Sequence, residues 1–184
     1  MANIVPGQPT AKQALLAARH LAAGEAHQYL TFLLGGEMYA VGILNVKEII
    51  EYGNLTEIPM MPAFIRGVIN LRGSVVPVVD LAARFGHMQS KVGKRTCIVI
   101  VEAHQGNDKL DLGIMVDAVS EVLEIPGSEI EPPPSFGAKI RADFIAGMGK
   151  VAGKFVILLD IQRALSVDEI SVLTDMSESA PAEV

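Results

Sequence analysis

The chain has one cysteine and no tryptophan, and only nine of its 184 residues are aromatic, six Phe and three Tyr. A single cysteine cannot form an intramolecular disulfide, and no Cys/His cluster has metal-ligand spacing. A disulfide-stapled secreted fold and a zinc module are therefore both excluded, and a reducing compartment fits. Lys and Arg number 15 against 21 Asp and Glu, a net charge of −6. No basic stripe interleaved with aromatics is present to neutralise phosphates, so nucleic acid is not an expected partner. No apolar run approaches the roughly 18 to 20 residues of a spanning helix, so direct membrane insertion is not expected either. The opening MANIVPGQPT carries no basic region, and Arg19 and His20 interrupt the Ala/Leu stretch behind it. That pattern does not suit a cleaved leader, and the reading is a cytoplasmic chain.

What the chain does hold is apolar: half its residues, in a length that suits one ordinary domain or two very small ones. Residues 1–25 stand apart. Thr10 and Gln13 make a capping box, strong helix formers follow, and Gly24 suits the position just past a helix end, so a short extra N-terminal helix is expected over Thr10–Gly24. From Gln28 the texture becomes short Val/Ile/Leu/Phe runs broken by Gly, Pro and Asn, the pattern of an all-β barrel or sandwich. It predicts strands at Gln28–Leu34, Met38–Ile43, Ile50–Ile58, Gly67–Asn70 and Ser74–Val79. A second set is predicted at Thr96–Glu102, Lys109–Val116, Val122–Ile125, Gly147–Val151 and Lys154–Leu159. Helical turns are predicted at Leu44–Glu48, Asp80–Phe85, Ala138–Ile145, Asp160–Leu165 and Val167–Thr174, with a loose polar tail over 176–184.

The sequence also repeats itself. A shift of 80 aligns Phe64, Ile65, Gly67, Gly73, Val76 and Asp80 with Phe144, Ile145, Gly147, Gly153, Val156 and Asp160, six identities in the span 64–80. A shift of 73 aligns Val46, Glu48 and Glu51 with Val119, Glu121 and Glu124, and brings the preceding strands 39–43 and 112–116 into register. One domain over 26–175 is expected, built from two tandem copies at about 28–87 and 96–168. Each copy forms most of one small five-stranded barrel. Cores of this size are marginal alone, so the barrels should bury apolar surface against each other and leave a groove between them.

Catalytic motifs fail in turn. Gly147-Met148-Gly149 through Gly153 has the wrong spacing for a dinucleotide loop, and Gly93-Lys94-Arg95 lacks the rest of a phosphate loop; both read as turns. The four histidines are scattered, Cys97 lies inside a strand run, and Asp80 and Asp160 each precede a helical turn, where N-capping explains them. No enzyme, metal or cofactor is expected.

The segment Phe64-Ile65-Arg66-Gly67-Val68-Ile69-Asn70-Leu71-Arg72-Gly73-Ser74-Val75-Val76-Pro77-Val78-Val79-Asp80, preceded by Val46-Lys47-Glu48-Ile49 and Thr56-Glu57-Ile58-Pro59, closely resembles CheW, the coupling-protein family of bacterial chemotaxis. The likeness runs from about Gln28 to Thr174. It implies two packed SH3-like barrels and an adaptor without activity or cofactor. Its partners would be the cytoplasmic tips of methyl-accepting chemoreceptors and the regulatory domain of the histidine kinase CheA, in arrays at the inner face of the membrane. Carried across by motif position, receptor contacts would fall on Val46, Glu48, Gly67, Arg72 and Gly113, and kinase contacts on Phe136 and Gly147. The N-terminal helix departs from the family pattern.

The duplication weighs these assignments. Arg72 aligns with Ala152, so the hairpin does not need an arginine, and its five-donor fork suits a carboxylate or helix carbonyls on a partner. Glu48 aligns with Glu121, and a repeated residue can serve the unit itself. Gly67 and Gly147 are equivalent and read as turn glycines with a possible role in close backbone approach. Phe136 follows three prolines and is either a lid on its barrel or an exposed anchor. Two competing readings are a regulator of a parallel chemosensory-type pathway, such as pilus motility or gene control, and a small-ligand-binding barrel.

Overall fold

The computed structural model describes residues 27–86, 88–105, 107–133 and 144–165, together with residue 11. The described residues form eleven strands: β1 (Gln28–Leu34), β2 (Glu37–Gly42), β3 (Val46–Glu51), β4 (Ile65–Leu71), β5 (Ser74–Asp80), β6 (Cys97–Gln105), β7 (Asp108–Val116), β8 (Ala118–Glu124), β9 (Ile130–Glu131), β10 (Ile145–Val151) and β11 (Lys154–Leu159). Two short helices, α1 (Leu81–Arg84) and α2 (Ile161–Leu165), follow β5 and β11. The strands form two sheets, ordered β8-β1-β2-β11-β10-β9 and β3-β6-β7-β5-β4. In the second sheet Thr56, beyond the end of β3, bridges Val68 of β4, so the chain leaving one edge strand meets the other edge. β9 does the same for the first sheet by pairing Glu131 with Met148 and Ile130 with Gly149. Closure of this kind removes the exposed edges that so β-branched a chain would otherwise present.

Replacing each strand of the first order by its repeat counterpart reproduces the second order, with Thr56 standing for β9. The two units therefore exchange strands symmetrically. β1 and β2 of the first unit pair with β8 and β11 of the second, while β6 and β7 of the second pair with β3 and β5 of the first. Each unit supplies most of one barrel and lends its first two strands to the other. The two parallel contacts created this way are equivalent as well: Leu158 lies opposite Ala40 and Val78 opposite Gly113.

Both faces of the exchanged strands are covered, which is why they read as unbroken apolar runs and not as alternation. In β6, Ile98 and Ile100 face the lumen of the second barrel with Ile69, Val76, Val78 and Met115. Val99, Val101 and Ala103 face the opposite way into a larger cluster shared by both sheets, with Leu30, Phe32, Tyr39 and Val41 from the first and Val46, Leu112 and Ile114 from the second. The lumen of the first barrel holds Ala40, Ile125, Val156 and Leu158. Two thin lumens thus flank one thick shared layer, in which Phe32, Tyr39, Phe85 and Phe144 make successive ring contacts at 5.8 to 6.2 Å between centres.

Local signals set the turns. Three two-residue hairpins, Gly35-Gly36, Arg72-Gly73 and Ala152-Gly153, have positive φ at both positions, the type I′ geometry whose twist matches paired strands. The sequence demanded this only of the glycines, yet Arg72 and Ala152 both sit at φ 51°. Asp80 and Asp160 cap the two helices as expected, accepting from Ala83 N at 3.4 Å and Arg163 N at 3.2 Å. Asp80 is fully buried and also accepts from Ser90 N at 2.8 Å and Ser90 Oγ at 3.0 Å, which pins the connector between the units.

Some expectations are corrected. The helical turn at Leu44–Glu48 is a 3-10 turn over Ile43–Asn45, and β3 begins at Val46. The strand expected over Ile50–Ile58 ends at Glu51, and the one expected at Val122 starts at Ala118. Ile145 opens β10 and does not close a helical turn. The expected N-terminal helix, apart from Ala11, and the turns at 138–143 and 167–174 lie outside the described residues.

Candidate functional site

The hairpin that joins β4 and β5 is built by its own residues. Gly73 N donates to Asn70 Oδ1 at 2.9 Å, closing the turn from within and pointing Arg72 outward. Arg72 Nη1 then donates to Glu48 Oε2 of β3 at 2.6 Å, across the mouth of the second barrel. The arginine side chain is 74% exposed and the glutamate 17%, so a half-sheltered carboxylate holds an accessible cation. The hydrogen bond to Glu48, and secondarily its charge, raise the guanidinium pKa above its ordinary value. The counterpart hairpin has Ala152 at that place, so the pair belongs to one barrel only. Such an exposed pair adds little to stability but offers both signs of charge to a partner.

The remaining expected residues lie elsewhere. Val46 is fully buried in the shared layer, two residues before Glu48 on β3, and can act only by placing that strand. Gly67 and Gly147 each lie just past a bulge in their strand and are buried where the barrels close. At Gly67, with φ 151°, a Cβ would collide with the Thr56 backbone carbonyl. At Gly147 it would stand 2.8 Å from Ile130 Cγ2 and 3.1 Å from Glu131 O. Close backbone approach is thus the physical demand at both glycines. Gly113 is buried in the second lumen, where a Cβ would meet Ile98 Cγ2 at 2.8 Å and Val78 Cγ2 at 3.2 Å. Its repeat counterpart is Ala40. Phe136 lies outside the described residues. Among the described site residues, Glu48 and Arg72 are the pair joined by a side-chain hydrogen bond.

Burial pushes the Cys97 thiol up, and its Sγ donates to Arg95 O at 3.3 Å, an arrangement that suppresses thiolate formation. Gln162 of α2 grips the backbone of His104, its Nε2 donating to the carbonyl and its Oε1 accepting from the N–H at 3.0 Å. A cleft of about 440 Å³ lies at the seam of the barrels, over Leu34, Tyr39, Ala82 and Phe85, with Glu37 and Lys91 on its rim. There the Tyr39 hydroxyl is pushed up to about 12 by burial first and by the Glu37 carboxylate second. A second cleft of about 670 Å³ lies beside α2. Among the described residues, none of the expected contact residues lines either cleft.

Two residues missed in the sequence are Val75 and Phe155, 54% and 52% exposed on the outer faces of the two hairpins. They are repeat counterparts. An apolar residue kept outward at the same place in both units was a signal available from the shift of 80. Among the described residues no helix is long and apolar enough to cross a membrane.

Comparison with known proteins agrees with this architecture. Residues 28–169 match the family model described as the CheW-like domain. The chain is 35% identical over 159 residues to Chemotaxis protein CheW of Klebsiella aerogenes, covering 85% of this chain and 93% of that one. It is 30% identical over 126 residues to Protein FrzA of Myxococcus xanthus, covering 68% and 76%. The solved structure of the scaffolding protein TtCheW from Thermoanaerobacter tengcongensis superposes with a TM-score of 0.68 at 36% identity, over 75% of this chain and 86% of that one. With paired barrels that carry the family's hairpin and a family model that spans most of the chain, this protein belongs to the CheW family.

Proposed function

We propose that the chain is a non-enzymatic adaptor that ties the cytoplasmic tips of chemoreceptors to the regulatory domain of the histidine kinase CheA, in chemosensory arrays at the inner face of the membrane. The observation that carries this reading is the asymmetry of the two hairpins. Both make the same turn, yet only the first offers an exposed arginine, oriented by Glu48. A charge placed there serves recognition, since the fold repeats the turn without it. Receptor contact at Glu48 and Arg72, with Val46, Gly67 and Gly113 shaping the strands behind them, leaves the other barrel, with Gly147, for the kinase, to which the resemblance also assigns Phe136. Rigidity supports the role: a layer shared by both barrels holds two contact surfaces at a fixed separation.

Co-sedimentation tests the proposal. The chain should bring the kinase regulatory domain down with receptor-bearing membranes, and the kinase should stay in solution when the chain is omitted. Failure to bind either partner overturns it. The likeness to FrzA, whose name lies outside the chemotaxis series, favours as a second reading a regulator of a parallel chemosensory-type pathway. Capture against the several receptor kinases of one host separates the two, because each reading names a different kinase as the one retained.

A further inference from the structure

Arg84 ends α1, at the close of the first unit. Its guanidinium carbon lies 4.8 Å from the ring centre of Phe64 and 5.4 Å from that of Phe144, and its Nε donates to the carbonyl of Ala164 at 3.1 Å. Phe64 and Phe144 are repeat counterparts, and so are Arg84 and Ala164, each pair 80 residues apart. One arginine therefore stands where the two units face each other, stacked on the equivalent ring of each and bonded to the backbone of its own counterpart. A second guanidinium at position 164 would crowd and repel it. Ala164, fully buried, leaves the room. Partly desolvated contact with two rings is where a cation–π interaction is strongest, and the flat guanidinium is the group that can stack on both.

Each ring stands at the foot of a hairpin. The Phe64 carbonyl, just before β4, accepts from Asp80 N at 2.7 Å, and the Phe144 carbonyl, just before β10, accepts from Asp160 N at 2.9 Å. The first hairpin carries Arg72 and Gly67, and the second carries Gly147. We infer that Arg84 is a positioning residue that fixes these two hairpins relative to each other, so that a receptor and a kinase held on different barrels are kept in the geometry that couples them. This rests on the adaptor reading above.

The test compares the unaltered chain with Arg84→Ala and with the relocated pair Arg84→Ala/Ala164→Arg. Affinity for receptor and for kinase regulatory domain is measured separately, and receptor-dependent kinase activity in the full assembly. Arg84→Ala should keep each affinity within about threefold while the coupled activity falls about tenfold, the scale of a lost desolvated cation–π contact. The relocated arginine, reaching the same rings from the other unit, should restore most of that activity. An Arg84→Ala chain that couples normally overturns the inference. So does one whose separate affinities fall in step with its activity, since Arg84 would then only support the fold. If Arg84→Ala does not fold, Arg84→Lys takes its place, with partial loss expected and full activity overturning the inference. An unaltered chain that binds neither partner or gives no receptor-dependent activity defeats the adaptor reading, and this inference with it.

Discussion

Arg72 and Glu48 form a pair that the fold can do without. Arg72→Glu should lower receptor affinity about tenfold or more by setting two carboxylates side by side, while the melting temperature shifts by no more than about 2 °C. Binding isotherms and thermal scans on the same preparation check this, and a collapse in melting temperature would make the arginine structural. Tyr39 behaves in the opposite way. Burial pushes its hydroxyl pKa up to about 12 in the folded chain, against 10.0 for an unburied tyrosine. Below pH 10 both states are neutral there and nothing is lost. Between pH 10 and 12 the unfolded chain sheds the proton first, so stability falls as pH rises, by at most about 2 to 3 kcal/mol. Denaturant titrations should show that slope weakened in Tyr39→Phe. The family resemblance pointed to Arg72, and its alanine counterpart favoured a role outside the fold, but the grip of Glu48 on it was hidden, because the hairpin meets β3 only once the barrel has closed.

The glycines are best compared strand by strand. Gly67→Ala should be the most damaging of three substitutions, at about 3 kcal/mol or more, because its Cβ meets backbone and its φ of 151° is one that side chains avoid. Gly147→Ala should cost less, since the first atom met is a side-chain methyl of Ile130 and the backbone oxygen of Glu131 stands farther off, at 3.1 Å. Gly113→Ala should fall at or below the ordinary overpacking cost of about 1 to 3 kcal/mol, because two side chains can shift and the other unit already carries Ala40 there. Chemical denaturation of the three variants ranks them, and a reversed order would refute the closure argument. Elements with simple patterns were legible: β1 runs over Gln28–Leu34 as expected, and both aspartates cap their helices. β3 was not. Val46, Ile49 and Ile50 fall at helical spacing, and the strand absorbs that spacing through a register shift between Val46 and Glu48 that resets its alternation. A matching irregularity between Leu30 and Phe32, where Thr31 Oγ bonds both the N–H and the carbonyl of Glu121, obscured the start of β8.

For the molecule as a whole, duplication and two barrels could be read from internal alignment, but not the exchange of strands. Periodicity reports which face of a strand is buried and is silent on which strand lies beside it. The parallel contacts of β2 with β11 and of β5 with β7 join segments far apart in sequence. Exchange predicts how a cut chain behaves. Severed between residues 86 and 96, neither piece can complete a sheet, so each alone should be largely unfolded, while the two mixed should assemble and regain the native circular dichroism spectrum. A first piece that folds cooperatively by itself would contradict the strand order. The same exchange governs how the scaffold bears load. A tug on one barrel must strip rungs from its neighbour before the halves can part, so under tension this coupler should give way in a single event, with no half-open state in which one partner is still gripped and the other let go.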